Sequence, residues 1–337
     1  MNNTKLWKSY FESRGISNDL LDPYLKYISD LYKSESPVIF ELEHLSSLLG
    51  IKEEILRRMI FGGSKFYRTF SIKKRSGHNR TINAPYPSLL SCQDWIYKNI
   101  LITKEVHHCA HGFVPGRSIF TNAKVHLGCK SLLKMDLKDF FPSIKINWVI
   151  NLFSSMGYAN NVSFYLASLC CKDGELTQGA STSPCISNLL LKNLDNRLFL
   201  LSKKYNINYT RYADDLTFSG EYITHRIIDV ISEIVDDYGL SVNKEKTKLL
   251  INKNKKIVTG LSVSGDELRI TKSLRREIKQ QAFYIEKFGY VSHMAKLKIR
   301  NPYYLDSLLG KINFWIQTEP ACIEAIRLRN IIKDQMD

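Results

Sequence analysis

The sequence predicts an α+β fold, an antiparallel core flanked by helical lobes. Three observations predict it. The middle of the chain alternates short β-rich runs with helical stretches. Its strand pairs are joined by tight turns, which implies antiparallel pairing. The first 60 residues, and everything after Thr271, carry apolar residues at three- and four-residue spacing.

The totals bound the class. A chain of 337 residues makes about two domains at roughly 150 residues each, or one enzyme with appended lobes. A hydrophobic fraction of 44% is ordinary for a globular protein. The net charge of +15 and pI near 9.3 favour a polyanionic partner, a nucleic acid or an anionic surface. Apolar runs such as "LFLL" at 198–201 fall far short of the roughly 18 residues a membrane span needs, so no membrane partner is expected. "MNNTKLWKSYFESRG" has no apolar segment of signal-peptide type, so a cytoplasmic protein is expected. None of the seven cysteines sits in a CxxC pair, and they read as reduced thiols, mostly packed in the core. "HHCAH" (His107, His108, Cys109, His111) has residue types that bind zinc, but no second ligand group with metal spacing lies nearby, and it reads as a loop.

The elements follow in order. "NDLLDPYLKYISDLY" and "FELEHLSSLLGIKEEILRRMIF" predict helices up to Gly62-Gly63. "FYRTFSIKKRSGHNRTINAP" reads as a β-hairpin around a polar turn at Arg75–Asn79. Residues 88–102 read as helix. "SLLKMDLKDFFPSI" (131–144) begins as a strand and ends before Pro142. Residues 147–171 read as helix, "LTQGASTSP" as a loop, and "CISNLLLKNLDNRLFLLSKKY" as a strong helix. "INYTRYADDLTFSG" is strand, tight turn, strand. Residues 223–238 carry Ile227, Ile228, Ile231, Ile234 and Val235 at helical spacing, and "KKIVTGLSVSGDELRI" returns to strands. From Thr271 the chain reads as helical, with Leu274, Ile278, Ala282 and Ile285 on one face.

Chemistry concentrates on "RYADDLTFSG". Asp214 and Asp215 are neighbouring like charges at a hairpin tip, which penalises ionisation of both. An isolated "DD" is ordinarily a solvated turn; here both acids have strand-like flanks, and Tyr212 precedes them. Asp136 sits where another apolar strand runs out. If the two strands are neighbours, three carboxylates meet at one sheet edge. Such oxygen-rich clusters suit Mg²⁺. Two ions roughly 4 Å apart can activate an attacking hydroxyl and neutralise a leaving pyrophosphate.

The boxes around these acids resemble those of reverse transcriptases. "YADD" at 212–215 is similar to the YxDD box, "DLKDFF" to the first catalytic motif, "TQGASTSP" at 177–184 to the QG loop, and "GLSVNKEKTK" at 239–248 to the segment after the catalytic hairpin. "HGFVPGRS" at 111–118 is similar to a stretch common in bacterial members. "NAKVH" at 122–126 and "VTG" at 258–260 resemble the NAxxH and VTG boxes of retron reverse transcriptases. The resemblance covers about residues 60–265. It implies a right-hand polymerase fold: an N-terminal helical region at 1–60, fingers at 61–130, an antiparallel-sheet palm at 131–267 with fingers helices inserted at about 147–205, and a helical thumb at 268–337. About 75 residues follow VTG, room for a thumb but not for a maturase–endonuclease extension or an integrase.

The resemblance also implies roles. Asp136, Asp214 and Asp215 match the catalytic carboxylates that hold two Mg²⁺ ions, with the backbone carbonyl of Leu137 as a further ligand. Phe141 matches the steric gate under the sugar; on spacing alone it reads equally as a core residue beside Phe140. Gln178 and Gly179 match the loop against the incoming nucleotide and template. Lys73 and Arg80 match the triphosphate-binding pair, a point charge and a bidentate grip; the residues alone read equally as a solvated basic turn. Lys246 matches the lysine that protonates leaving pyrophosphate, with Lys244 and Lys248 close by. Asn122 and His126, at i, i+4, could share a helix face and contact RNA or pack. Val258, Thr259 and Gly260 form the second retron box. Thr177 and Ser181 stand where proline is common, which puts loop rigidity in question.

Between 244 and 300 there are fifteen Lys/Arg, Arg275 and Arg276 among them, against five acids. A basic helix on the palm would make one wall of a duplex groove, with steep salt dependence, reading an A-form hybrid by shape and 2′-hydroxyls. The resemblance implies a cognate structured non-coding RNA, priming from a guanosine 2′-hydroxyl within it, dNTPs as substrates, a branched RNA-linked single-stranded DNA (msDNA), an effector protein encoded nearby and anti-phage defence. The alternatives are a nucleoprotein scaffold that mainly holds RNA–DNA and an effector, or a diversity-generating or CRISPR-associated reverse transcriptase.

Overall fold

The computed structural model describes residues 2–73, 77, 79–252 and 255–336. Most of the polar turn expected at Arg75–Asn79, and Lys253 of the basic window, lie outside them. The chain forms two compact units that interleave along the sequence. One comprises residues 1–113, 137–197 and 232–242; the other comprises 114–136, 198–231 and 243–337.

The first unit is largely helical. Helices Asn18–Lys33, Leu42–Leu49 and Glu53–Phe61 bury the apolar stripes visible in the sequence: Leu21, Ile28 and Leu31, then Leu42 and Leu45, then Leu56, Met59 and Ile60. A two-stranded antiparallel ribbon follows, β1 (Tyr67–Lys73) and β2 (Asn79–Pro85), paired from Tyr67↔Pro85 to Lys73↔Asn79. The helix expected over 147–171 is two, Ile146–Ser155 and Asn160–Cys170. Gly157, at φ +103, breaks them by taking a backbone angle that side-chain-bearing residues avoid. The strong helix expected after the QG loop starts at Ser183 and is also interrupted, running Ser183–Leu190 and then Lys192–Lys204. The strand expected from residue 131 ends at Asp136, short of Pro142. Pro142 sits in a short helical turn, Phe140–Ser143, that starts from Asp139 at φ +44. A proline is tolerated there because first-turn N–H groups have no intrahelical acceptor.

The second unit is built on a four-stranded antiparallel sheet in the order β4–β5–β3–β6: β3 (Ser131–Asp136), β4 (Asn208–Tyr212), β5 (Asp215–Gly220) and β6 (Lys248–Ile251). Strand β6, "KLLI", goes beyond what the sequence pattern predicts; four residues carry too little alternation to register. A small second sheet joins β7 (Ile257–Val258), β8 (Leu261–Ser262) and β9 (Arg269–Ile270). It packs Val258, Leu261, Val263 and Leu268 with Leu132 of β3 and Ala123 of the Ile119–Lys124 helix. The helices Lys272–Phe288, Tyr304–Thr318 and Ile323–Lys333 close a separate core around fully buried Trp315, with Ile278, Ala282, Ile285, Leu308 and Ile312. Thr271 caps the first of these, its hydroxyl accepting from the Leu274 N–H at 3.3 Å.

Candidate active site

The sheet of the second unit brings the three acids together. Strand β3 ends on Asp136, which pairs in register with Asp215, the first residue of β5. Asp215 in turn pairs with Tyr212 of β4, so β4 and β5 are joined by Ala213 and Asp214 alone. Ala213 adopts φ +58, an uncommon angle for a residue with a Cβ. Its carbonyl accepts from the guanidinium of Arg211 at 3.2 Å, and Arg211 is fully buried. Strand alternation puts Asp136, Lys134, Asp215 and Thr217 on one face. On the other, Met135, Leu133, Leu216 and Phe218 are buried in the core. The apolar face anchors the sheet, and the acids stand at the strand ends on the opposite one.

Asn243 supplies the fourth group, and the sequence reading missed it. Its N–H donates to the backbone carbonyl of Asp136 at 2.7 Å, and its side chain caps the Lys244–Lys246 turn. That turn delivers the Lys246 ammonium to both oxygens of Asp136, at 2.7 and 2.9 Å. Of the three lysines in the segment, Lys246 is the one that reaches an acid of the site; Lys244 and Lys248 are exposed.

Crowding shows in the electrostatics. Burial, then Asp215 and Asp136, push the Asp214 carboxyl up to about 6. Burial raises Asp215 as well, against the opposing pull of Lys134. The hydrogen bond to Asp136 raises Lys246. A raised carboxyl holds a proton in the folded state that the unfolded chain has released. Metal-free protein is therefore expected to lose stability as pH rises from about 4 to about 6, by up to about 1.4 kcal/mol per pH unit from Asp214. Urea melts in EDTA across that window check this, and Asp214→Asn should flatten the slope.

The first unit holds the other nucleotide-site candidates. Lys73 and Arg80 are exposed on neighbouring rungs at the ribbon tip. Lys73 faces Asn79 and Arg80 faces Ile72, so the two cations start on opposite faces, and a shared grip needs one to reach round the edge. Leu137 is buried and bridges Val242. Phe140 is buried, whereas Phe141 is only half-buried, its ring 5.1 Å from that of Phe140. Gln178 and Gly179 lie on a loop held by β2. The Asn83 N–H donates to the Gln178 carbonyl at 2.8 Å, and the Asn83 side-chain amide donates to the Thr177 hydroxyl. Fully buried Gln93 accepts from the Ser181 N–H at 3.2 Å. The two positions that lack proline are thus pinned by hydrogen bonds from Asn83 and Gln93, neither of which stood out in the sequence.

The RNA-contact candidates divide. Asn122 and His126 are fully buried, so their side chains pack instead of offering a surface to RNA. They do not share a helix face either, because the helix ends at Lys124. Val258 is buried in the small core, Thr259 is half-buried with its hydroxyl donating to the Ile119 carbonyl at 3.1 Å, and Gly260 is exposed. Arg275 is ion-paired with both oxygens of Glu319, at 2.6 and 2.7 Å, and lies over the Trp315 ring. Arg276 is exposed. Lys279–Glu324 and Glu277–Lys311 pairs likewise absorb part of the charge of this region, and Lys256 is buried.

The donor set of the hairpin site, three carboxylates with raised Asp214 and Asp215, fits a hard divalent cation, which relieves the repulsion that burial imposes. In the first unit, the donor atoms of His107, His108 and Cys109 lie within 4.8 Å of one another, three donors where a structural zinc site takes four. Among the described residues, no helix is long and apolar enough to cross a membrane.

The reverse transcriptase (RNA-dependent DNA polymerase) family matches residues 72–282, a span containing all three acids. Retron Ec86 reverse transcriptase of Escherichia coli is 34% identical over 253 residues, 74% of this chain and 79% of that protein. The chain belongs to the retron reverse transcriptases. It is an RNA-directed DNA polymerase, of a family that uses divalent metal ions. Retron Mx65 reverse transcriptase of Myxococcus xanthus is 32% identical over 336 residues, 88% of this chain and 79% of its own. Among solved structures, telomerase from Candida albicans with a fragment of telomeric RNA aligns at TM-score 0.43 and 12% identity, over 84% of this chain and 67% of that one. The family match, together with the helices and antiparallel sheets described above, gives the retron reverse transcriptase the mixed architecture of the polymerase fold.

Proposed function

We propose that this reverse transcriptase binds a cognate structured RNA, primes from a guanosine 2′-hydroxyl within it and copies part of it into branched msDNA, with Asp136, Asp214 and Asp215 holding two Mg²⁺ ions. The observation that carries the site assignment is the in-register meeting of Asp136 and Asp215 beside a desolvated Asp214. When bound, the ions would supply activation of the attacking hydroxyl and charge neutralisation at the leaving pyrophosphate. Lys246 sits against Asp136 and is kept protonated by it, a disposition suited to giving a proton to pyrophosphate. Half-buried Phe141 is the candidate gate against a 2′-hydroxyl, and the backbone carbonyl of Leu137 a further ligand. Lys73, Arg80, Gln178 and Gly179 are the candidates for holding the triphosphate and the nucleotide. In this reading the fingers are residues 61–130, the palm 131–267 and the thumb 268–337. An effector protein encoded nearby and a role in anti-phage defence complete the reading.

The test is reconstitution with the RNA encoded beside the gene. With Mg²⁺ and dNTPs the protein should yield DNA covalently joined to RNA and resistant to separation in denaturant. DNA made only as free strands from added primers would refute the priming step. The logarithm of the binding constant for that RNA should fall linearly with log salt concentration, with a slope of about −0.7 to −0.9 per phosphate contacted. Binding that is flat between about 50 and 200 mM salt, measured by filter retention, would contradict a charge-driven interface.

A further inference from the structure

We propose that His126 is the register pin of the YADD hairpin: a positioning residue for nucleotidyl transfer, not a contact for RNA. The proposal rests on Asp136, Asp214 and Asp215 being the catalytic carboxylates. The His126 ring is fully buried. Its Nδ1 lies 2.7 Å from the Ser219 hydroxyl on β5, and its Nε2 lies 2.7 Å from the Thr210 hydroxyl on β4. A neutral imidazole offers one donor and one acceptor, and a hydroxyl can play either part, so both bonds form together in either tautomer. One side chain therefore ties the two strands of the hairpin at a single point.

The face on which it does so matters. Thr210 pairs with Thr217, Ser219 with Asn208, and Asp215 with Tyr212 and Asp136. By strand alternation Thr210, Thr217, Ser219, Asp215 and Asp136 all share one face. His126 thus sits on the catalytic face, bonded on β5 four residues from Asp215 and on β4 two rungs from the Tyr212–Asp215 pair, about 13 and 7 Å along the strands. A slip of β4 against β5 by one residue would rotate Asp215 toward the core side, where Leu216 and Phe218 are fully buried. The turn itself guards poorly against such a slip. Its left-handed position is filled by Ala213 and not by the Gly or Asn that favour two-residue hairpin turns. Register must then be held from outside. A second bond ties the outer end of β4 to the segment carrying His126, from the Asn208 side-chain amide to the Val125 carbonyl at 3.2 Å. The two residues of the NAxxH box look in different directions. Asn122 lies toward Thr259 of the VTG box, 3.5 Å from its hydroxyl, while His126 engages the hairpin.

The experiment uses the full chain with poly(rA)/oligo(dT) and dTTP. Variants are His126→Ala, Ser219→Ala, Thr210→Val and the double variant His126→Ala/Ser219→Ala, each also melted in urea and titrated with poly(rA)/oligo(dT) in EDTA. His126→Ala should lower kcat per folded molecule by about 10²-fold, the scale of a small misplacement of reacting groups, with KM for dTTP and the primer–template Kd within about 2-fold of wild type. The double variant should be no slower than His126→Ala, because both remove one shared interaction. If His126→Ala does not fold, Ser219→Ala and Thr210→Val, which delete single hydroxyls, must show the kcat loss. An unchanged kcat in all folded variants would overturn the proposal, leaving a packing role only. A Kd weakened tenfold or more at unchanged kcat would overturn it in favour of RNA contact. Asp215→Asn is assayed alongside: if it retains full activity, it is the carboxylate assignment that fails, whatever His126 does.

Discussion

Asp214→Asn and Asp215→Asn are each expected to lower dNTP incorporation by at least about 10³-fold, equivalent to roughly 4 kcal/mol of transition-state stabilisation. The same substitutions should stabilise the metal-free protein. The two effects have one cause. Asp214 carries a carboxyl pushed up to about 6 by burial and by its acidic neighbours, so its charge is a cost to the folded chain. Asparagine keeps the shape and removes the charge, and with it the capacity to hold a divalent cation. Incorporation on poly(rA)/oligo(dT) at saturating Mg²⁺ and thermal melts in EDTA measure the two sides. A variant that loses activity and also melts lower would point to a folding role for the acids.

Gly179→Ala is the second large effect. A Cβ at Gly179 would stand 2.5 Å from the Asn83 carbonyl oxygen and 2.9 Å from its carbon, and the residue's φ of +118 is itself hostile to a side chain. Backbone strain alone costs about 1–3 kcal/mol. The clash adds to it by pushing the loop off β2, at the expense of the Asn83–Gln178 hydrogen bond. A loss of about 2–4 kcal/mol in urea unfolding is expected, with KM for dNTP raised about tenfold if Gln178 lies against the nucleotide. Gly174→Ala separates the two causes. Gly174 has a φ of +79 but open space where a Cβ would stand, so it should lose only about 1 kcal/mol. Equal losses at both positions would show that the contact with Asn83 does not matter.

What the sequence revealed, and what it hid, follows from range. The hairpin of Asp214 and Asp215 was legible because strand, turn and strand lie within a dozen residues, and the stripe Ile278, Ala282, Ile285 because a helix repeats its face every turn. The breaks at Gly157 and Leu191 were hidden, since the helical period continues across them. Groups that act over a distance left no local trace. Asn243 looks like any polar loop residue until its N–H is found on the carbonyl of Asp136. Asn83 and Gln93 hold a loop about 90 residues away in sequence. Charge counting saw nothing of the pairing, in which Arg275 meets Glu319 and Lys279 meets Glu324. Spacing misled at Asn122 and His126, where i, i+4 implied a common face and the helix stops two residues short of the histidine.

The central claim is that Asp136, Asp214 and Asp215 together hold divalent cations. Counting bound Mn²⁺ by electron paramagnetic resonance, on protein loaded with dideoxy-terminated poly(rA)/oligo(dT) and dTTP, tests it most directly. Wild type should bind two ions, displaced by excess Mg²⁺, and the Asp136→Asn/Asp214→Asn/Asp215→Asn variant should retain at most the one that dTTP itself carries. Two ions bound to that variant with unchanged affinity would contradict the account.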